Sequence, residues 1–444
     1  MRVIFLSILL IASCFALGCS GATTTSTTAP PTTPTPTPTP TPAPTTSNVL
    51  AISVSGGPVV NQPGGAIYPN AAFATATVCT PGSTMNCATI DNLLVDTGSA
   101  GLRVFDTAVA SLNLPAVNAS NGSPAYDCIS YEDGTYQWGP VQKADVTLGS
   151  ETAPSAPIQV ISSATSNIPS SCSNGGIDEN TALLLGAKGI LGVGFEPTDC
   201  FLDGYSICDP SFGLMSPPLG AYYTCSGTTC TPAFIVQANQ VANPVVLFPK
   251  DNNGVIVELP SASGPAANMM GSLIFGIGTE SNNQLPSTAT VITMACDAFT
   301  TVFQGQTLGI TNAATCAGPY SAIDSGSNAI YFPNVPNLPS CPSNTAVGDL
   351  SGLYCPTTTQ SLSATIMGQN SASKSTTFSV VNALNLYINA STASDAVLPG
   401  IAGINPAGSG FVWGLTFFYG QNVYSSIDGQ AVPTGVPAAP WWAF

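Results

Sequence analysis

An all-β fold built on an internal two-fold repeat is predicted by three observations. From Asn48 onwards the chain is rich in Val, Ile, Thr, Ser and Gly, with turn signals at short intervals, which is the pattern of many short strands. Long stretches of helical periodicity are nearly absent. One short motif also occurs twice. Leu93-Leu94-Val95 runs into Asp96-Thr97-Gly98-Ser99 and then into a second apolar patch, and Ala322-Ile323 runs into Asp324-Ser325-Gly326-Ser327 with an apolar exit through Ile330. In each copy an apolar strand delivers a carboxylate into a tight glycine turn. One copy alone is an ordinary turn after a strand. Two copies call for a reason.

The chain begins with Met1-Arg2 and an apolar run from Val3 to Ala12, too short for a comfortable membrane span and read as an export signal. Ala16-Leu17-Gly18-Cys19-Ser20 resembles a bacterial lipoprotein processing site, which implies that residues 1–19 are the signal and that Cys19 becomes a lipidated first residue. The preferred Leu three positions before the cysteine is here Ala16, so plain secretion is the alternative. The expected location is the outer membrane or cell surface as a lipoprotein, or otherwise the periplasm or medium. Residues 20–47 form a Thr/Pro-rich segment that cannot bury a core and reads as an extended spacer. No other apolar run is long enough for a transmembrane helix.

Cysteine usage agrees with export. Of 14 cysteines, Cys14 lies in the signal and Cys19 is the proposed anchor, which leaves an even set for disulfides. Local pairing joins Cys79 with Cys87, Cys128 with Cys172, Cys200 with Cys208, Cys225 with Cys230, Cys296 with Cys316, and Cys341 with Cys355. Sequence does not fix this connectivity.

The strands follow in order. Phe73 to Val78 alternates as a half-buried strand does. Ile129 to Gly139, with Tyr131-Glu132-Asp133-Gly134-Thr135 at its tip, reads as a hairpin, and Lys143 to Gly149 as a further strand. Gly189 to Phe195 is a glycine-flanked apolar strand suited to passing close under another backbone.

Composition narrows the chemistry. There is no histidine, which excludes Ser-His-Asp and Cys-His catalysis and zinc sites built on histidine. Six Lys plus Arg stand against 22 Asp plus Glu, a formal charge of −16, with no basic patch for a nucleic acid. With 44% apolar and only 6% charged residues, the chain has the material for a large packed core. If a pseudo-twofold axis relates the two turns, Asp96 and Asp324 face each other. Two carboxylates that close hold one proton between them. The ionised member can take a proton from a water as it attacks a carbonyl, while the protonated member polarises that carbonyl.

The order of aspartate turn, Tyr-x-Asp-Gly-Thr hairpin and Gly189-Ile190-Leu191-Gly192 strand resembles the N-terminal lobe of the pepsin-like aspartic endopeptidases. The second half continues the resemblance with Gly271 to Gly276, Phe299 to Gly305, the Asp324 turn, Phe411 to Gly414, and Thr416 to Asp428 as the closing strands. The resemblance is that of a divergent bacterial, exported member. It implies a bilobal acid-protease fold with two pseudo-twofold-related β lobes, residues 48–250 and 251–444. It further implies a peptide-bond hydrolase in which Asp96 and Asp324 activate a water. Thr97 and Ser325 then brace the two turns across the lobes, Ser99 and Ser327 orient the carboxylates, and Gly98 and Gly326 shape the turns. Gly192 and Gly414 pack beneath them. Tyr131, Gly134 and Thr135 belong to the flap over the substrate.

The resemblance implies no cofactor and no metal, a polypeptide substrate, no nucleic acid, membrane contact only through the N-terminal lipid, and a monomer. One departure stands out: Arg103 occupies the place of an aromatic residue that hydrogen-bonds the flap tyrosine in the family, and Trp138 is a candidate to replace it. The basic inhibitory prosegment of the family is also missing. The rival readings are a pepsin-like protein that binds protein or glycan without cleaving, and a glycoside hydrolase using two carboxylates at glycosidase spacing.

Overall fold

The computed structural model describes residues 48–59, 68–164, 167–309, 320–345, 349–389, 395–405 and 410–444. The signal, the Thr/Pro-rich segment, Cys19 and Cys316 lie outside the described residues. Strands dominate, and the α-helices among the described residues are 4 to 7 residues long. The all-β prediction therefore holds.

The strand Cys87–Asp96 shows why the first half folds as it does. Its last four residues, Leu93 to Asp96, are all buried. Such a continuous apolar run suits a strand covered on both faces rather than one facing water. It pairs antiparallel with Ala72–Cys79 and parallel with Gly189–Val193, in the register Leu94 to Ile190, Val95 to Leu191 and Asp96 to Gly192. The strand leaving the turn, Ala100–Phe105, runs antiparallel to the other side of Gly189–Val193 and parallel to Glu151–Ile161.

The second half repeats this arrangement. Ser321–Ile323, which leads into Asp324, pairs parallel with Phe411–Trp413. The exit strand Ile330–Phe332 pairs antiparallel with Phe411–Trp413 and parallel with Ala402–Ile404. Order and sense are the same in both halves: lead-in, central, exit and flanking strands, with the aspartate at the end of the lead-in.

A glycine lies within the first central strand and directly after the second, where the turn crosses it. A Cβ at Gly192 would lie 2.8 Å from the Ala100 carbonyl carbon, and one at Gly414 would lie 2.0 Å from the Ala329 oxygen. Only the absence of a side chain lets the backbones approach so closely. The two halves also share a sheet, since Val49–Val54 pairs antiparallel with Met269–Phe275. Apolar residues of both halves, from Leu50 to Phe444, form one buried cluster. Aromatic stacking tightens the second half, where the Phe411 and Trp413 rings lie 4.5 Å apart and Phe332 stacks on Phe411 at 5.6 Å.

The flap hairpin consists of Ala125–Ser130 and Thr135–Leu148. The separate strand expected at Lys143 to Gly149 is not separate: the second flap strand runs on unbroken to Leu148, with its lower part paired to Glu151–Ile161. A second correction concerns the closing strands. Leu415–Phe417 is a turn of 3₁₀ helix, begun where Gly414 leaves the central strand, and the strand starts only at Asn422. The long insertion after Cys200 supplies Tyr222–Ser226, which adds to the outer edge of the flap strand Ala125–Ser130 and is itself paired with Thr229–Pro232.

Five of the expected disulfides are present: Cys79–Cys87, Cys128–Cys172, Cys200–Cys208, Cys225–Cys230 and Cys341–Cys355. Cys296 is also disulfide-bonded. Disulfides in this number belong to an oxidising, extracytoplasmic compartment. Among the described residues no helix is long and apolar enough to cross a membrane.

Candidate active site

Both turns close on their own aspartate. Gly98 N donates to Asp96 Oδ1 at 2.8 Å and the Ser99 hydroxyl donates to Asp96 Oδ2 at 2.5 Å. In the second turn Gly326 N donates to Asp324 Oδ1 at 2.9 Å. The turns are then tied to each other. Thr97 N donates to Ser325 Oγ at 3.1 Å, Ser325 N donates to Thr97 Oγ1 at 2.9 Å, and the Ser325 hydroxyl donates to the Val95 carbonyl at 2.7 Å. Thr97, Ser99 and Ser325 are buried, and both aspartates have 0% exposure.

The two carboxyl groups meet at Gly326. A Cβ there would lie 2.7 Å from Asp96 Oδ1 and 3.2 Å from Asp324 Oδ1, so any side chain would push the pair apart. The Asp324 pKa is raised well above the usual carboxylate range, first by burial, then by the charge of Asp96 and a hydrogen bond to it. The Ser327 hydroxyl and the Gly326 amide pull the other way. Asp324 Oδ2 is buried without a hydrogen-bond partner.

Tyr131 opens the flap turn and is buried against Phe73, Leu94, Phe105 and Ile190. Its pKa is raised, chiefly by burial, and the charge of Asp96 is among the further causes. Gly134, at φ +85°, donates its N–H to the Tyr131 carbonyl at 3.1 Å, which is the turn that positive φ makes possible. Thr135 donates through both its N–H (2.9 Å) and its hydroxyl (2.8 Å) to Asp133 Oδ1. That hydroxyl is occupied in holding the flap tip.

Arg103 is fully buried. Its Nη1 donates to the Ala100 carbonyl at 2.7 Å, and its Nη2 reaches Asp199 Oδ2 at 2.9 Å and Asp127 Oδ2 at 3.5 Å. The Tyr222 hydroxyl donates to Asp199 Oδ1 at 2.5 Å. The guanidinium therefore ties the exit strand of the first turn to the flap strand and to the insertion. Burial, and then the charge of Asp199, raise the Asp127 pKa, with Arg103 opposing.

Trp138 does not take over the flap tyrosine: it stacks on Tyr126 at 5.5 Å and meets Tyr223 edge-on at 5.3 Å. Its neighbour Gln137 does, with Tyr131 Oη donating to Gln137 Oε1 at 3.1 Å. Asn70 is another residue that sequence reasoning passed over. Fully buried, it donates to the carbonyls of Asn328 and Leu398, both at 2.9 Å, and accepts from Leu398 N and the Tyr419 hydroxyl. Pro69-Asn70 signals a turn in the sequence, but nothing there signals a clamp onto the Asp324 turn. Among the described residues no group of three or more His, Cys, Asp or Glu side chains is placed to hold a metal ion.

Fold and site together define an all-β protein with two matching aspartate turns joined at one buried pair. Residues 44–444 match the family described as "Protein of unknown function (DUF3443)", and the chain belongs to that family. No curated protein matches the sequence. Among solved structures, an aspartic proteinase from Irpex lacteus is similar over 85% of this chain and 93% of its own, at 18% identity and a TM-score of 0.41.

Proposed function

We propose that the protein is an aspartic-type endopeptidase of pepsin-like architecture that hydrolyses peptide bonds with a water held between Asp96 and Asp324. The observation that carries this reading is the Asp324 carboxyl, its pKa raised by burial and by the charge of Asp96, at the meeting point of two identically built turns. In this reading Asp96, held by Gly98 and Ser99, serves as the base and takes a proton from the water as its oxygen attacks the peptide carbonyl carbon. Asp324 gives its proton to the carbonyl oxygen, which yields the neutral gem-diol. Return of one proton to Asp324 and transfer of the other to the leaving nitrogen break the C–N bond and restore the pair. Thr97 and Ser325 keep the carboxyl groups at bonding distance throughout. The substrate is a polypeptide met outside the cytoplasm, and the Thr/Pro-rich segment with Cys19 serves as spacer and lipid anchor.

Purified protein is expected to cleave an unfolded protein in mild acid and to be inhibited by a statine-type peptide, whose hydroxyl takes the place of the water. Binding of the peptide with no cleavage at any pH would give the case to a non-cleaving pepsin-like binder.

A further inference from the structure

We infer that Gln137 and Glu179 are positioning residues for the flap tyrosine, and that they fix the direction of its hydrogen bond. The inference rests on the endopeptidase reading for its kinetic consequences but not for its geometry. Arg103, at the place where an aromatic partner of the tyrosine is expected, is committed elsewhere: its two terminal nitrogens are engaged by Ala100, Asp199 and Asp127. Gln137 accepts instead. Its Oε1 takes the Tyr131 hydroxyl proton at 3.1 Å, while its Nε2 points to Glu179 Oε2 at 3.5 Å. Glu179 Oε2 accepts from the Gln137 amide nitrogen, and that contact selects the amide orientation that turns Oε1 towards Tyr131. Glu179 is itself held in place, because its N–H donates to the Tyr136 carbonyl at 3.0 Å. Gln137 and Glu179 are both fully buried, so the chain of contacts is shielded from competing water.

The consequence is chemical. With its proton given to Gln137, the Tyr131 hydroxyl can meet a further group only as an acceptor. It is set to accept a hydrogen bond from a substrate backbone N–H or from the attacking water. It is not set to donate one.

The test compares wild type with Tyr131→Phe, Gln137→Met, Glu179→Gln, the Tyr131→Phe/Gln137→Met pair, and Trp138→Phe as a variant outside this chain of contacts. Cleavage kinetics and crystal structures are read together, with thermal unfolding as the folding control. Tyr131→Phe and Gln137→Met are each expected to lower kcat/KM roughly tenfold, the scale of one lost hydrogen bond. The double variant is expected to be hardly worse than either single one, because both remove the same bond. Glu179→Gln keeps the shape but frees the amide to turn over, and is expected to fall between Gln137→Met and wild type. Trp138→Phe is expected to match wild type. In crystals of Gln137→Met the Tyr131 ring is expected to leave its wild-type position. Losses that multiply in the double variant, or a Tyr131 that stays in place in Gln137→Met, would overturn the inference. Absence of cleavage by the wild type would count against the endopeptidase reading alone, and the crystal structures would still decide the positioning claim.

Discussion

Thr97 and Ser325 stand 228 positions apart in sequence, yet each hydroxyl oxygen accepts the backbone N–H of the other, at 2.9 and 3.1 Å. This reciprocal pair joins the two aspartate turns and sets the spacing of the carboxyl groups. Thr97→Ala leaves the Ser325 N–H buried without an acceptor, at a cost of about 1–3 kcal/mol. Thr97→Ser retains the oxygen and is expected to recover most of the loss. Urea unfolding of the two variants measures the difference. Equal stability of Thr97→Ala and Thr97→Ser would show that the hydroxyl does not brace the turns.

Arg103 offers a stronger test of the interior. Replacing it by Met leaves Asp127 and Asp199 buried without their cation, and breaking such a group is expected to cost about 3–5 kcal/mol. Arg103→Lys is not expected to rescue, since one ammonium cannot reproduce a fork that meets two carboxylates and the Ala100 carbonyl. A loss under about 1 kcal/mol on denaturant unfolding, the range of an exposed ion pair, would contradict this account.

The raised carboxyl groups predict how stability depends on pH. Burial raises the pKa of both Asp324 and Asp127, and the charge of a neighbouring aspartate adds to it in each case. The folded protein therefore keeps protons that the unfolded chain releases near pH ~4. Their contribution is fully present below that value and is lost as pH rises through the folded pKa values. Asp178, pushed up to about 6 by burial, acts in the same direction over the lower part of that window. Thermal unfolding across this range is expected to show the highest stability in acid, with a shallower decline for Asp324→Asn. A melting temperature that climbs from acid to neutral pH would refute the assignment.

Much of this was legible in the sequence because it is local. The apolar lead-ins to Asp96 and Asp324, the glycine turns, and the serine three residues beyond each aspartate all lie within one short window. Cys79–Cys87 and Cys225–Cys230 are separated by only 8 and 5 residues, so proximity in the chain gave the pairing. What was not legible depends on distant partners. Arg103 finds Asp199 across 96 positions, and Gln137 finds Glu179 across 42. Residue type alone does not disclose such choices, because an arginine or glutamine in a strand reads as surface until its neighbours are known. Trp138 is the large aromatic of the flap hairpin. It packs on Tyr126 and Tyr223, while its neighbour Gln137 meets Tyr131. The resemblance gives Thr416 to Asp428 as closing strands, but the start of that stretch lies in the 3₁₀ turn Leu415–Phe417 and the strand begins at Asn422.

The central claim is that Asp96 and Asp324 act as one unit. Peptide cleavage against pH by wild type, Asp96→Asn, Asp324→Asn and the double variant tests it most directly, with thermal unfolding to establish that each protein is folded. An amide keeps the shape of the carboxyl group but cannot act as base or share the proton. Each single variant is expected to lose nearly all cleavage and the double variant hardly more, since groups that act together are not additive. Wild-type activity is expected to fall as pH rises past the upper apparent pKa of the pair, where no proton remains to polarise the carbonyl. Cleavage by the double variant at the wild-type rate would contradict the account.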